Sequence, residues 1–431
     1  MMKFTQRQFA IIGVVAAVIL IAVVLIFVSG SGKKPQLSGT LTVWGFGEVP
    51  STMDALVGAY AALQPKVTVS YKLFDAAQYD ETLLGALASG QGPDVFMVRG
   101  RSLQRQAVTV VPADPKQFTV SRLQSLFPTV VEQDFAGGGR VFALPLYLDT
   151  LVLYYNRDLF DRAAIVAPPA TWDDFQKLVP KLRSVDAGGQ LTRTAAAIGT
   201  SEKNVDVATD LLELLMLQNG AKMTDDAGTT ATFAEGNPAA GLDAFRFYLE
   251  FSDPSAPAYT WNESKPPAQD EFAAGNVAMF FGYHSALTPL KTKNPFLKIG
   301  VAPMLQVSTD APVNYADYVG LAVSRQSRAN AVAWDFVVSA TTNPAVAGAY
   351  LTATGRPPAL RTLIAQKLDD SDLGVFSKQA LTARSWYQAD DGKIEGIVND
   401  AILAVEGGRL DAATALRGAQ DNVSQLMRPK Q

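Results

Sequence analysis

Short apolar runs of strand character alternate with amphipathic helical stretches along residues 41–98, giving strands at 41–46, 67–74 and 94–98 and helices at 52–63 and 79–88. A βαβαβ order implies parallel strands covered by helices, since parallel neighbours need a long crossover to bring the chain back. Ligands of such sheets bind beyond the carboxyl ends of the strands. In this chain those ends lead into 44–48, Phe74-Asp75 and Arg99. Residues 151–155 form another β-type run, with Leu153 and Tyr155 on one face and Val152 and Tyr154 on the other. A short helix over 157–163 follows Asn156, and Pro168-Pro169 stops it. Thr171 then caps a second helix in which Trp172, Phe175, Leu178, Val179 and Leu182 keep helical spacing. The chain therefore leaves one folded unit and starts another at this crossing. Helical periods dominate onward to about 282, at 205–218, 238–251 and 269–274, with short strands at 195–198 and 277–281. Segments 298–302 and 318–323 return to strand character and are expected to rejoin the first sheet, with 331–339 covering it.

The amino terminus follows a different rule. Residues 9–28 form a run of 20 residues with no charge and one glycine, long enough as a helix to span the roughly 30 Å hydrocarbon core of a bilayer. Secretory signals have a shorter apolar core of about 7 to 15 residues, so the run predicts a retained anchor. Residues 29–38 read as a polar linker with an end-to-end distance on the order of 17 Å. The positive-inside count is nearly tied, with Lys3 and Arg7 on one flank and Lys33 and Lys34 on the other.

Composition narrows the function. With 431 residues, 48% of them hydrophobic, the chain can bury two sizeable cores. The first 38 residues hold four of the 37 basic residues and no acid, leaving 33 basic against 41 acidic residues beyond them. A net charge of −8 there argues against nucleic acid as a partner. The chain has no cysteine, which excludes disulfides, thiolate metal sites and cysteine nucleophiles. Its single histidine, His284, has no G-x-S-x-G elbow to serve. Gly30-Ser31-Gly32-Lys33-Lys34 lacks the first glycine of a phosphate loop and reads as linker, while Gly137-Gly138-Gly139 reads as a hairpin turn. Glu48, Asp75, Asp149 and Asp317 could supply the two carboxylates of a glycosidase, and Tyr154-Tyr155 could offer hard oxygen ligands to iron. Because the two tyrosines lie on opposite strand faces, the iron reading is weak.

Several motifs occur in a fixed order: Gly39-Thr40-Leu41-Thr42-Val43-Trp44, Gly92-Pro93-Asp94-Val95-Phe96, Leu144-Pro145, Asp149, Tyr155-Asn156, Pro169-Ala170-Thr171-Trp172-Asp173-Asp174-Phe175 and Phe272-Ala273-Ala274-Gly275-Asn276-Val277-Ala278-Met279. Gly355-Arg356-Pro357-Pro358 and Gly407-Gly408-Arg409-Leu410 extend the series to about Met427. In this order the chain resembles the family 1 extracellular solute-binding proteins, the mostly carbohydrate-binding receptors of bacterial ABC importers. The resemblance implies an α/β, two-lobed periplasmic-binding-protein-like fold with hinge crossings, here preceded by one N-terminal transmembrane helix. The expected division is 1–28 anchor, 29–38 linker, 39–150 with 296–342 as the first lobe, and 151–295 with 343–431 as the second. The bulk of the chain would lie outside the cell membrane on a single-pass anchor. Val28-Ser29-Gly30-Ser31 resembles a lipobox whose cysteine has become serine, so a helix would replace the usual lipid.

The implied partners are a small-molecule carbohydrate and the permease subunits of an ABC transporter; the implied receptor is a monomer that needs no cofactor. A sugar site needs flat aromatic platforms and a few polar groups that fix orientation. Candidate platforms are Trp44, Tyr147, Trp261, Tyr283, Tyr318 and Trp386, and candidate polar groups are Glu48, Arg99, Asp149, Asp317 and Arg356. Tyr283 stands where the family commonly has Trp, and Asp317-Tyr318 where it commonly has a Gly-Gly run, which implies a narrower cleft. Trp172, at a helix start, is expected to pack. The competing readings are a ligand sensor or scaffold acting through a membrane partner, and a glycan-cleaving enzyme.

Overall fold

The computed structural model of the protein describes residues 36–103, 107–187, 190–236 and 239–428. The apolar run at 9–28 and most of the linker lie outside the described residues. Among the described residues no helix is long and apolar enough to cross a membrane.

The first lobe follows the period of its sequence. Strands β1 (Gly39–Phe46), β2 (Val67–Phe74) and β3 (Val95–Arg99) pair in parallel, with β1 between the other two. Helices α1 (Pro50–Leu63) and α2 (Tyr79–Ala88) make the crossovers. The central β3 is buried from Val95 to Val98, as a strand covered on both faces must be. Strands β4 (Ala143–Pro145) and, from much later in the chain, β12 (Val319–Val323) complete the sheet in the order β2-β1-β3-β12-β4, with β12 antiparallel to both neighbours. The Gly137-Gly138-Gly139 stretch turns a two-stranded hairpin, with Gly138 and Gly139 at φ 55° and 74°.

The second lobe has its own five-stranded sheet. Strands β6 (Val152–Asn156), β7 (Ser184–Val185), β8 (Leu191–Ala196), β9 (Val277–Gly282) and β10 (Ile299–Ala302) lie in the order β10-β6-β9-β8-β7. The predicted caps are present: Asn156 Oδ1 accepts from the Leu159 amide at 3.2 Å, and Thr171 Oγ1 from the Asp174 amide at 3.1 Å. Helix α3 (Trp172–Leu182) buries Trp172, Phe175, Val179 and Leu182, while α4 (Ala208–Gln218) packs along the same core.

Two segments depart from expectation. Residues 298–302 were expected in the first sheet, yet β10 pairs antiparallel with β6 in the second. The pairing needs Gly300, because a Cβ there would come within 2.2 Å of the Tyr155 ring. Residues from 343 onward were expected in the second lobe. Instead helix α5 (Pro344–Thr354) packs on α1 and puts Val346 and Tyr350 into the first core, as do Leu360 and Ile364 after it. Second-lobe packing resumes with Phe376 and Trp386 and continues through the last two helices, α6 (Asp391–Glu406) and α7 (Ala412–Met427).

A third, small sheet joins the lobes. Strand β5 (Asp149–Thr150) connects β4 to β6, and β11 (Asn314–Asp317) connects β10 to β12. Strand β13 (Ala383–Arg384) precedes α6, and the three hydrogen-bond in the order β13-β11-β5. The segments that link the two cores are thus paired with one another.

Trp172 closes the second core as its sequence position predicts. Its ring lies 5.7 Å from Phe175, 5.7 Å from Phe247 and 5.9 Å from Phe281, and its Nε1–H donates to Gln218 Oε1 at 2.8 Å. Trp172→Ala is expected to destabilise the protein by about 3–5 kcal/mol, as for other buried Trp truncations. Urea unfolding measures this, and a loss below about 1 kcal/mol, the level of an ordinary surface change, would refute the packing role.

Candidate functional site

A cavity of about 980 Å³ lies between α2 and the carboxyl end of β3 on one side and the start of α6 on the other. Asp80 and Glu81 of α2, with Arg99 and Arg101, line it from the first lobe; Asp391 and Glu395 of α6 line it from the second. Asp317, in the joining sheet, also faces it. Arg99 bridges the lobes across this space, 3.2 Å from Asp80 and 3.4 Å from Asp391, with its guanidinium 4.4 Å from the centre of the Phe46 ring. A second cavity of about 420 Å³ shares Arg101 in its lining and is walled by Asp134, Ser385, Trp386, Tyr387 and residues around Thr224.

Arg101 joins the two spaces. It reaches Asp210 of α4 at 2.9 Å, Asp317 at 3.2 Å and the Tyr315 hydroxyl at 3.1 Å. Burial works against its charge, but Asp210, Tyr315 and Asp317 more than offset this and hold its pKa above the ordinary value. Tyr283 donates its hydroxyl to the other oxygen of Asp210 at 2.6 Å. Beneath lies Glu213, which accepts from Trp386 Nε1 at 2.8 Å, from Gln388 Nε2 at 3.0 Å and from the Tyr315 hydroxyl. Burial, reinforced by Asp210, pushes the Glu213 carboxyl up to about 7.

A second cluster sits at the joining strands. Glu48, at the end of β1, pairs with Arg356, whose guanidinium lies 4.2 Å from the centre of the Tyr147 ring. Asp149 and Asp317 are direct cross-strand partners in β5 and β11. Burial pushes the Asp149 carboxyl up to about 7, despite hydrogen bonds to its Oδ1 from the His284 amide at 3.1 Å and the Thr150 amide at 2.8 Å. Burial also holds His284 down to about 4, so its ring is neutral at physiological pH.

The structure brings together Arg99 and Asp317 in the larger cavity, with Tyr283 one residue behind through Asp210. Glu48, Tyr147, Asp149 and Arg356 gather beside it, at the joining strands. The aromatic candidates fare differently. Trp261 is fully buried in the second core, where its Nε1–H donates to Asn204 Oδ1 at 3.1 Å, so it offers no face to a ligand. Tyr318 is equally buried and donates to Asp134 at 2.7 Å. Trp386 edges the smaller cavity, but its indole is 4% exposed and its N–H is committed to Glu213. Trp44 is half-buried against Phe74, with Lys72 over its ring at 5.2 Å. The cavities therefore present hydrogen-bonding and charged groups far more than flat rings.

Sequence reasoning passed over Arg101, Asp210, Glu213, Tyr315 and Asp391. Glu213 did leave a signal, as the one acid inside the apolar run Leu211-Leu212-Glu213-Leu214-Leu215-Met216.

A family model described as bacterial extracellular solute-binding protein matches residues 45–347, more than half of the chain. A putative binding protein of Brucella abortus (strain 2308) is 26% identical over 285 residues, covering 64% of this chain and 65% of that one. A probable ABC transporter-binding protein of Deinococcus radiodurans is 26% identical over 253 residues, covering 54% and 58%. The chain thus spans less than two thirds of the length of these relatives. Among solved structures, the sugar-binding protein MalE from Xanthomonas citri superposes with a TM-score of 0.76 at 18% identity, over 90% of this chain and 97% of that one. An ABC substrate-binding protein from Listeria monocytogenes, in complex with cycloalternan, gives 0.71 at 20% identity, over 91% and 99%. Both share the two-lobed α/β fold.

The raised carboxyl of Asp149 makes a signed prediction. Its folded-state pKa lies above the unfolded value near 4, so its contribution to stability is intact below about pH 4 and is lost as pH rises toward about 7. Asn keeps the acceptor for the His284 and Thr150 amides but does not titrate. The melting temperature of Asp149→Asn relative to wild type is therefore expected to rise between pH 4 and pH 8, and parallel curves would refute the shift.

Proposed function

Because the chain belongs to the bacterial extracellular solute-binding protein family, we propose that it is a receptor that captures a carbohydrate between its lobes and delivers it to an ABC permease from a membrane-tethered position. The observation that supports this most is the larger cavity itself. It lies between two separately packed cores, takes its lining from both, and rests on strands whose small rotations would open or close it. The sugars named with structurally similar proteins support carbohydrate as the ligand class. Anchoring rests on the apolar run at 9–28. The two guanidinium groups of the cleft are already paired with carboxylates, Arg99 with Asp80 and Asp391 and Arg101 with Asp210 and Asp317, an arrangement suited to holding a ligand.

Recognition in this cleft relies on charge-assisted hydrogen bonds. Arg99, Asp317 and Asp391 can each exchange part of an existing ion pair for a sugar hydroxyl. Such bonds are worth about 1.5–3 kcal/mol each, and here each counts only net of the ion pair it interrupts, so micromolar affinity, roughly −8 kcal/mol, requires several acting together. The ligand would act by binding the closed form better than the open one, which is what lets a permease sense occupancy.

Titration calorimetry against a glycan panel tests the reading directly. A binder should be found, and saturating it should lower the radius of gyration in solution scattering and raise the melting temperature. Asp317→Asn should weaken that binding by about tenfold, near 1.4 kcal/mol. Binding without change in either the scattering or the melt would move the site away from the cleft. The full chain should stay with membranes after a high-salt wash, whereas a chain beginning at Gly39 should not. Recovery of the protein from culture medium with Ser31 as its first residue would mean that the apolar run is cleaved.

A further inference from the structure

Arg101 is the residue common to the linings of both interlobe cavities. Its backbone is fixed from two directions. Gly100 donates its amide to the Tyr318 carbonyl at 3.0 Å, and a Cβ at Gly100 would come within 2.5 Å of the Tyr318 ring. The Arg101 carbonyl accepts from the Gln388 amide at 2.9 Å, just beyond β13. These two bonds hold the backbone from which the side chain leaves. It runs across the interlobe space to Asp210 in the second lobe and turns its other nitrogen to Asp317, leaving 15% of its side chain exposed. Tyr283 and Tyr315 clamp the same group, Tyr283 through Asp210 and Tyr315 by its own hydroxyl. A guanidinium fork with both arms occupied is a rigid strut, because leaving either carboxylate unpaired in a buried place is costly.

We propose that Arg101 sets the length of ligand this cleft accepts, dividing the interlobe space into two chambers by its ion pairs to Asp210 and Asp317. The proposal rests on the reading of the cleft as a carbohydrate site and says which carbohydrates it takes. A ligand that fits the larger chamber leaves the strut in place and can use Arg99, Asp317 and Asp391. A longer one must either stop at the wall or displace Arg101 and strand Asp210, and so binds less tightly. Without the strut the chambers become one space, running from Asp80 and Glu395 at one end to Trp386 and Tyr387 at the other. The added edge of Trp386 and Tyr387 would then favour the longer ligand.

The test is a length series. Wild type, Arg101→Gln, and Arg101→Gln with Asp210→Asn, which leaves no orphaned carboxylate on α4, are titrated with malto-, manno- and chito-oligosaccharides from monosaccharide to heptasaccharide. Cooperative melts establish that each variant is folded. Wild type should prefer short members, and the variants should shift the ratio of long-to-short affinity by about tenfold or more toward the long. Asp210→Asn alone, which loosens the strut at a residue lining neither cavity while keeping Arg101, should shift it in the same direction by less, and it decides the matter if the Arg101 variants do not fold. Wild type that binds long members as tightly as short ones, or variants with an unchanged length profile, would overturn the role of Arg101 and leave the receptor reading standing. If no member of any series binds wild type, both fall together.

Discussion

The chain links its two cores through strands that are paired with one another, and everything at the cleft depends on that pairing. Because β5, β11 and β13 form one small sheet, the segments that link the lobes are tied by a handful of backbone hydrogen bonds, to which the ion pairs of Arg99 and Arg101 add. Among the described residues the buried apolar side chains fall into two separate clusters, one per lobe. Asp149 and Asp317 sit opposite each other in that sheet, Tyr315 lies in the same strand as Asp317 with Tyr318 just after it, and Ser385 and Trp386 follow the third. Residues far apart in sequence therefore converge within one or two positions of a joining strand. Such a linkage is stiff along the strands and yields to twist, which is the motion that opens a cleft.

Like charges facing across β5 and β11 would by themselves push these two joining strands apart. The structure answers this in two ways. Asp149 is buried and its carboxyl is pushed up toward neutrality, while Asp317 remains more open and is held by Arg101. Arg356 completes the arrangement from the other flank, paired with Glu48 and lying over Tyr147. The joining strands thus combine an acidic pair with nearby guanidinium groups, and a change at any one of them alters the charge balance of the rest.

Local structure was legible in the sequence because it is decided locally. The βαβαβ start, the caps at Asn156 and Thr171, the glycine hairpin and the packed face of Trp172 all follow from period, capping and turn chemistry within a few residues. The two misplacements have the opposite character. Strand 299–302 and helix 344–354 have the right type, but their lobe was set by long-range fit, through Gly300 against Tyr155 and Tyr350 in the first core. The site shows the same limit. Arg99, Asp317 and Tyr283 were readable as polar or aromatic groups beyond strand ends or at a motif position. Trp261, Tyr318 and Trp386 have the composition of sugar platforms, yet each is buried with its N–H or hydroxyl spent on Asn204, Asp134 or Glu213. Residue type does not encode exposure, and Arg101 draws its meaning from partners more than one hundred positions away.

The arrangement of charge has a consequence for selectivity. A cleft whose guanidinium groups already pair with carboxylates is, in effect, occupied by its own ions. An incoming ligand gains only the difference between the bonds it makes and those it interrupts, so affinity falls steeply for any ligand that leaves a partner unsatisfied. A polyhydroxyl compound suits this condition well. Each hydroxyl donates to a carboxylate and accepts from a guanidinium at once, and can insert into an existing pair without stranding either side. An apolar or singly charged ligand of the same size would break the pairs and repair only half of them. On this reading, discrimination in the cleft would be set first by the geometry of Arg99, Arg101 and their carboxylates.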